Sequence, residues 1–224
     1  MINLNLIGLP GSGKLRVKQS LMLFLEKEVV NSVKIHIDND EQIQTINWLV
    51  VDIRSKLTHL QAEKFLVDAV KKSSLIIFNF AESSDLDVQI FWQKWKATNA
   101  SHVPSVRLFY SAFKADFGLT GFLQNTVKNE HQPLKLQTLD FSVKQLNLEH
   151  LMAGLDACKQ NLQMDIWRIK GAVQTTEYAN PVALEGTVNR WDTFSCDEAK
   201  GKVTIQGLNL NKEFLKEVVD ASQL

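Results

Sequence analysis

The sequence has little of several features that mark whole classes of protein. It carries only two cysteines, Cys158 and Cys196, which lie far apart and form no C-x-x-C pair. Such sparse usage favours a reducing compartment, which we take to be the cytoplasm, and predicts no thiolate metal site. No apolar run approaches the length of a membrane span, and nothing basic precedes the first apolar run. We therefore expect neither a membrane protein nor a signal peptide.

An excess of charge of either sign is also absent. Lys plus Arg and Asp plus Glu each number 25 among the 224 residues. No overall field therefore favours nucleic acid or an anionic membrane, and we expect neither as a partner. Hydrophobic residues make up 45% of the chain, which is enough to bury a core in one large domain or two small ones.

Strand and helix patterns alternate over the first half of the chain. This alternation predicts an α/β domain over residues 1–111, with a P-loop NTPase-like, mostly parallel sheet and helices on both faces. The predicted strands are 2–8, 33–37, 46–53, 75–80 and 106–110, and the predicted helices are 14–30, 59–72 and 87–98.

The pattern changes after residue 111. Residues 112–133 show little periodicity and are interpreted as a linker with one short helix. In residues 134–224, strands follow one another through short turns, which predicts a small α+β domain with an antiparallel sheet. Its predicted strands are 135–143, 166–174, 182–191 and 202–207, and its predicted helices are 147–160 and 212–221.

The stretch LIGLPGSGKL, residues 6–15, nearly matches the phosphate-binding loop G-x-x-x-x-G-K-[ST]. Glycines let such a backbone curl so that several N–H groups point at one phosphate, and the helix that follows aims its positive end at the same anion. A flexible turn is the alternative, but the lysine stands at the required spacing. The predicted phosphate-binding residues are Gly8, Gly11, Ser12, Gly13 and Lys14.

Leu15 occupies the position at which this motif has a hydroxyl. That hydroxyl ligates Mg²⁺, which offsets charge during phosphoryl transfer. Leucine offers no lone pair, and Ser12 stands at the wrong position to replace it. We therefore expect weak Mg²⁺ binding and little or no hydrolysis, while binding itself does not require the missing ligand.

Three acids or amides follow other predicted strands. Asp52 ends an apolar strand and is either a Mg²⁺-associated acid or a turn residue. Asn79 and Glu82, in FNFAE, fall where a guanine-reading N-K-x-D would lie, with Phe80 in place of the lysine. A carboxylate at that position accepts hydrogen bonds from guanine nitrogens. A solvated loop is the alternative interpretation.

No other pattern predicts chemistry. The HIDND stretch at 36–40 brings His36, Asp38 and Asp40 together after a strand, but polar loop residues explain it better than a metal site does. We find no arrangement of nucleophile, base and acid. The sequence therefore predicts no catalytic residue and no metal ligand.

Three stretches together resemble the CobW family of P-loop GTPases, which is linked to metal delivery and cobalamin synthesis. NLIGLPGSGKL is similar to the family's first strand and phosphate loop. The stretch 50–86, from VVD to FNFAESSDL, resembles its V-V-D strand, helix and N-K-x-D strand. The stretch 165–219, which opens DIWRIKG, is similar to its C-terminal domain. The resemblance implies GTP or GDP as ligand and a metal-handling protein as partner.

The sequence departs from the family in the segments that carry the family's metal-binding and catalytic residues. Family members carry switch regions, a C-x-C-C metal motif and a Walker B acid in a long stretch that is missing between residues 37 and 50. On that alignment Asp52 is the V-V-D aspartate. The resemblance therefore implies a shortened pseudo-GTPase that acts by binding in metal homeostasis. The alternatives are an interaction protein that binds no nucleotide, and a true GTP-dependent metallochaperone.

Overall fold

The computed structural model describes residues 2–27, 33–38, 44–110, 112–113, 118, 122–123, 127–128, 134–162 and 164–224. The chain divides into two compact units, Met1–Leu134 and Lys135–Leu224. Most of the predicted linker, including its short helix, lies outside the described residues.

The first unit is built on a parallel sheet. Five strands run in the order β2-β1-β3-β4-β5, and a sixth, β6, pairs antiparallel with the start of β3. The strands are β1 (Ile2–Ile7), β2 (Val33–Ile37), β3 (Gln44–Asp52), β4 (Leu75–Asn79), β5 (Ser105–Arg107) and β6 (Val127–Lys128). The helices are α1 (Lys14–Lys27), α2 (Leu60–Val70) and α3 (Leu86–Asn99).

The strand order places helices on both faces of this sheet, as the sequence predicted. The connection from β1 to β2 runs one way along the sheet, and the connections from β3 through β4 to β5 run the other way. Because such crossovers are right-handed, α1 covers one face, and α2 and α3 cover the opposite one. The ring of Phe78 on β4 packs against Trp92 of α3, with 6.5 Å between centroids.

The apolar alternation of the strands explains the core beneath α1. Each of the central strands sends every second side chain toward this helix, as the period-two geometry of a strand requires. One cluster of buried residues unites the helix and the sheet: Val17, Leu21, Phe24 and Leu25 of α1 with Leu4, Leu6, Ile35, Ile46, Trp48, Val50, Leu75 and Ile77 of the strands.

The second unit is an antiparallel sheet with two helices. Its strands lie in the order β11-β10-β9-β12-β7, and a short β8 pairs parallel with β9. The strands are β7 (Gln137–Ser142), β8 (Gln145–Leu146), β9 (Asp165–Thr175), β10 (Val182–Thr187), β11 (Trp191–Ser195) and β12 (Lys202–Leu208). The helices are α4 (Leu148–Asn161) and α5 (Lys212–Ala221).

Both helices of the second unit begin at an asparagine cap. Asn147 Oδ1 accepts a hydrogen bond from the backbone N–H of His150, and Asn211 Oδ1 accepts one from Phe214. Asparagine is among the best residues at this position because it satisfies an N–H that the helix cannot. The helices bury Leu151, Leu155, Leu215 and Val219 in a core with one face of the sheet.

One predicted strand of the second unit was wrong. The sequence predicted a single strand over 182–191, whereas the chain turns at 188–190 and returns antiparallel as β11. The backbone N–H of Thr187 donates to the carbonyl of Arg190 at 2.7 Å and closes this hairpin.

Candidate functional site

The candidate site lies at the carboxyl end of the parallel sheet. The strand order reverses between β1 and β3, and ligands of such sheets bind outside the carboxyl ends of the strands at this point. The loop at 8–14 leaves β1 there and leads into α1. Asp52, at the end of β3, stands in register with Asn79, at the end of β4. The fold therefore brings the separate sequence motifs to one edge.

Two glycines of the loop occupy positions that exclude a side chain. A Cβ on Gly8 would lie 2.3 Å from the carbonyl oxygen of Val50, and a Cβ on Gly13 would lie 2.3 Å from Nδ2 of Asn79. Gly13 also has a φ of +83°, which L side chains rarely adopt. The loop therefore has the tight, glycine-dependent path that the sequence predicted, and it delivers the chain directly to the N-terminus of α1.

Lys14 folds back over its own loop. Its ammonium donates hydrogen bonds to the carbonyl oxygens of Gly8, at 2.7 Å, and Leu9, at 2.8 Å. It also lies 3.2 Å from Oδ2 of Asp38, and only 9% of the side chain is exposed. The cation is thus held at the loop, and its charge is balanced from within the protein.

Asp38 is the anion at this loop. It follows β2 directly, and its backbone N–H donates to the carbonyl of Leu6, which fixes it beside the end of β1. Burial raises the pKa of Asp38, and the nearby Lys14 ammonium offsets this increase only in part. The Asp38 carboxylate is therefore buried at a cost in free energy, and it lies where an anionic ligand would contact Lys14.

The Ser12 side chain supplies a buried hydroxyl inside the loop. Ser12 is 2% exposed, and its Oγ has no hydrogen-bond partner among the residues that the structure describes. The same Oγ would lie 2.9 Å from a Cβ on Gly8, so it is enclosed by the curl of the backbone. Buried hydroxyls without a partner are rare, and each requires an explanation, such as a water molecule or a ligand atom. A hydroxyl donor in front of a helix N-terminus suits a phosphate oxygen.

The residues present do not fit Mg²⁺. Leu15 is 61% exposed and offers no oxygen at the motif's ligand position. Asp52 is held by Arg54, whose Nε donates to Oδ1 at 3.0 Å and whose guanidinium Nη2 donates to Oδ2 at 2.7 Å. A carboxylate in such a paired contact has both oxygens engaged. Leu15 and Asp52 therefore leave no ligand for Mg²⁺ at the positions where the motif would supply one.

Asn79 connects β4 to the loop. Its Nδ2 donates to the carbonyl of Ser12 at 3.1 Å, and its Oδ1 accepts from the backbone N–H of Phe80 at 3.0 Å. The residue has no solvent exposure. Asn79 was predicted to lie near a base, and in this structure it holds the loop at 8–14 through the carbonyl of Ser12.

Phe80 lies against the loop and beneath two cations. Its ring atoms would lie 2.8 Å from a Cβ on Gly13. The guanidinium carbons of Arg16 and Arg54 lie 4.3 Å and 3.6 Å from the ring centroid. Both distances are within the range of a cation–π contact. Phe80 itself has a φ of +62°, which is uncommon for a bulky residue and marks a constrained turn.

Glu82, the second predicted base contact, is paired with Arg16. Nη2 of Arg16 donates to Oε1 of Glu82 at 2.5 Å, and Oε2 is shielded from solvent. Burial alone would raise the pKa of Glu82. The hydrogen bond from Arg16 and the backbone N–H groups of Glu82 and Tyr110 outweigh burial and lower it. The carboxylate is therefore held ionised by the protein.

Comparisons with known proteins give a likeness of fold only. No protein-family model matches the sequence, and no curated protein matches it. Two solved structures of the YjiA GTPase align with the whole chain and with 99% of their own length. One is a Zn(II)-bound triple mutant, at 11% identity and a TM-score of 0.35. The other is the Zn(II)-bound protein from E. coli, at 9% identity and 0.36. No residue role is transferred from them.

The structure brings all seven predicted site residues to one end of the sheet, since the loop, Asn79 and Glu82 are joined by direct contacts. Sequence reasoning missed four participants. Asp38 was noted only within the HIDND stretch, Phe80 only as a replaced lysine, and Arg16 and Arg54 not at all. A basic residue two positions after the loop lysine is the only sequence signal that pointed to Arg16.

The described part of the chain holds no group of three or more His, Cys, Asp or Glu residues that could bind a metal ion. Asp40 of the HIDND stretch lies outside the described residues. Among the helices described, none is long and apolar enough to cross a membrane.

Proposed function

We propose that this chain binds the phosphate groups of a nucleotide, GTP or GDP by resemblance, at the loop 8–14 and acts by binding rather than hydrolysis. One observation carries the proposal: the loop encloses the Ser12 hydroxyl, which is buried and has no partner in the described part of the chain, in front of the N-terminus of α1. The backbone path that Gly8 and Gly13 permit, and the Lys14 ammonium, support the same ligand.

We expect no hydrolysis because of Leu15 and Asp52. Phosphoryl transfer relies on a metal ion to neutralise charge that develops on the phosphate oxygens. Leu15 provides no ligand for that ion, and Asp52 is engaged by Arg54. Binding through backbone N–H groups and Lys14 needs neither residue.

Calorimetric titration of the purified full-length chain tests this function. GTP, GDP and ATP are titrated with and without Mg²⁺, and release of the γ-phosphate is measured in parallel. We expect binding that is insensitive to Mg²⁺ and no turnover. Binding that disappears without Mg²⁺, or turnover of the γ-phosphate, would contradict the role assigned to Leu15.

A second candidate function is an interaction protein that binds no nucleotide. It is favoured by the internal neutralisation of Lys14, which has two carbonyl oxygens and the Asp38 carboxylate as partners. In that case Lys14→Ala alters only stability, and no nucleotide binds at millimolar concentration. The same titration therefore separates the two functions.

The biological role we propose, support of metal homeostasis in the cytoplasm through a metal-handling protein partner, is supported by the CobW resemblance of the sequence. A strain that lacks the protein would then contain an altered amount of zinc or cobalt. Complementation by the wild-type chain and not by Lys14→Ala would tie this role to the loop. An unchanged metal content under metal limitation and metal excess would rule it out.

A further inference from the structure

The groups that would read a base at this site are engaged by the protein itself. From this we infer that the site recognises phosphates without discriminating between nucleobases, so that inorganic pyrophosphate binds about as well as a nucleoside diphosphate. The inference rests on the proposed function. It extends the expected ligands from guanine nucleotides to phosphate chains in general.

The first of these groups is the amide of Asn79. Its Oδ1 accepts from the backbone N–H of Phe80, and its Nδ2 donates to Ser12 and packs against Gly13. The side chain is fully buried. A base could reach this amide only by breaking the contact that holds the phosphate loop in place.

The second group is the carboxylate of Glu82. Guanine presents two adjacent N–H donors, and a carboxylate reads them by offering both of its oxygens. In this structure Oε1 accepts a hydrogen bond from Arg16. Oε2 has no hydrogen-bond partner among the described residues, but it is shielded from solvent, so a base reaches it only if the Arg16 side chain moves away. Charge-assisted hydrogen bonds of this kind are stronger than those to a neutral base, so guanine does not displace Arg16.

The third group is the ring of Phe80. An aromatic side chain at this place could stack on any base, but two guanidinium groups already lie within 4.3 Å of its centroid. Arg54 is anchored there by its paired contact with Asp52, and Arg16 by Glu82. The stacking surface is therefore covered by cations that have their own anionic partners.

What is left for a ligand is the phosphate part of the site. Its donors are the backbone of the loop and the Ser12 hydroxyl, together with the Lys14 ammonium where the ligand displaces the Asp38 carboxylate. Recognition by such donors depends on the charge and geometry of the phosphate groups alone. Ligands with the same phosphate chain are therefore expected to bind alike.

The test compares ligands that share a diphosphate. Inorganic pyrophosphate, GDP and ADP are titrated into the full-length protein, and we expect dissociation constants that agree within about threefold. A preference of more than about tenfold for GDP over both other ligands would overturn the inference and leave the proposed function standing. Failure of all three to bind would overturn the proposed function, and the inference with it.

Two variants test whether the Arg16–Glu82 pair is the reason why the site does not discriminate between bases. Arg16→Met releases Glu82 while it keeps an unbranched side chain, so GDP should gain about fivefold or more over ADP. Arg54→Met is the matched control, because it also uncovers Phe80 but leaves the Arg16–Glu82 pair, and its GDP to ADP ratio should stay near that of the wild type. Circular dichroism verifies that both variants fold.

The variant Glu82→Gln independently tests whether Glu82 contacts the base. Because Glu82 does not contact the base in our proposal, this nearly isosteric variant keeps the wild-type ratio of GDP to ADP affinity. A shifted ratio in Glu82→Gln, or no gain of GDP preference in Arg16→Met, would show that the pair does not close the base site.

Discussion

The ammonium of Lys14 lies 3.2 Å from the Oδ2 atom of Asp38. These residues are joined by the fold alone, since one begins α1 and the other follows β2. A phosphate at the loop and the Asp38 carboxylate would contact the same cation. If the loop binds a phosphate as proposed, Asp38 competes with that ligand for Lys14, and the affinity then depends on how readily the carboxylate is displaced.

Asp38→Asn should strengthen binding of phosphate ligands. The substitution removes the competing charge with little change in shape. A partly exposed ion pair contributes about 1 kcal/mol, so we expect affinity for pyrophosphate to rise by about fivefold at neutral pH. Calorimetry measures this directly. Asp140→Asn, which removes the exposed ion pair with Lys202 in the second unit, is the control and should leave the affinity unchanged.

Stability should depend on pH through the same carboxyl. The pKa of Asp38 is raised from its ordinary value of 3.8 in the folded protein, mainly by burial. Between that value and the raised one, the folded state binds more protons than the unfolded state, so the free energy of unfolding falls as pH rises. Urea unfolding of wild type and Asp38→Asn, compared from pH 4 upward, isolates this effect.

The stability of the wild type relative to Asp38→Asn should be greatest at low pH and decline as pH rises through the Asp38 pKa. A relative stability that increases with pH over this interval would mean that the Lys14 ion pair, not burial, dominates the titration. The difference between the two proteins cancels the opposite contributions of carboxyls whose pKa is lowered, such as Glu82.

Gly13→Ala should disable the loop. The new methyl group would meet Nδ2 of Asn79 at 2.3 Å, and the φ of +83° is strained for alanine. We expect a loss of at least about 2 kcal/mol of stability together with loss of pyrophosphate binding. Gly118→Ala is a matched control, because a Cβ there has no heavy atom of the described residues within 4 Å. Equal behaviour of the two variants would refute the assigned loop geometry.

Leu15→Ser should restore dependence on Mg²⁺ without restoring turnover. Leu15 is mostly exposed, so the change costs less than about 0.5 kcal/mol. The new hydroxyl supplies the missing ligand, and GTP should bind more tightly when Mg²⁺ is added. Asp52 stays engaged with Arg54, so γ-phosphate release should remain at background. Leu15→Ala is the control and should show no effect of Mg²⁺.

Much of the fold followed from local pattern. The five strands of the parallel sheet and the three helices between them were located from apolar periodicity, with small differences at their ends. The strand pair β10 and β11 was missed because the turn at 188–190 carries no glycine or proline, and the apolar Val188 continues the alternation of Val182 and Leu184 into it. Periodicity shows where a chain is extended and not where it reverses.

The candidate site was predictable only where its residues are consecutive. The loop 8–14 could be read because each residue has its place in one short motif. The ion pairs around this loop could not be predicted, because Glu82 is 66 residues from Arg16 and Asp38 is 24 residues from Lys14. Periodicity carries no information about such pairs.

The sequence by itself determined a glycine-dependent loop between a strand and a helix, with leucine in place of a metal-ligating hydroxyl, because backbone conformation and side-chain chemistry are properties of adjacent residues. Only the tertiary structure decided which anion pairs with Lys14 and which cation pairs with Glu82. Those pairings depend on the order of strands in the sheet, which brings the ends of β1, β2, β3 and β4 together across long separations in the chain.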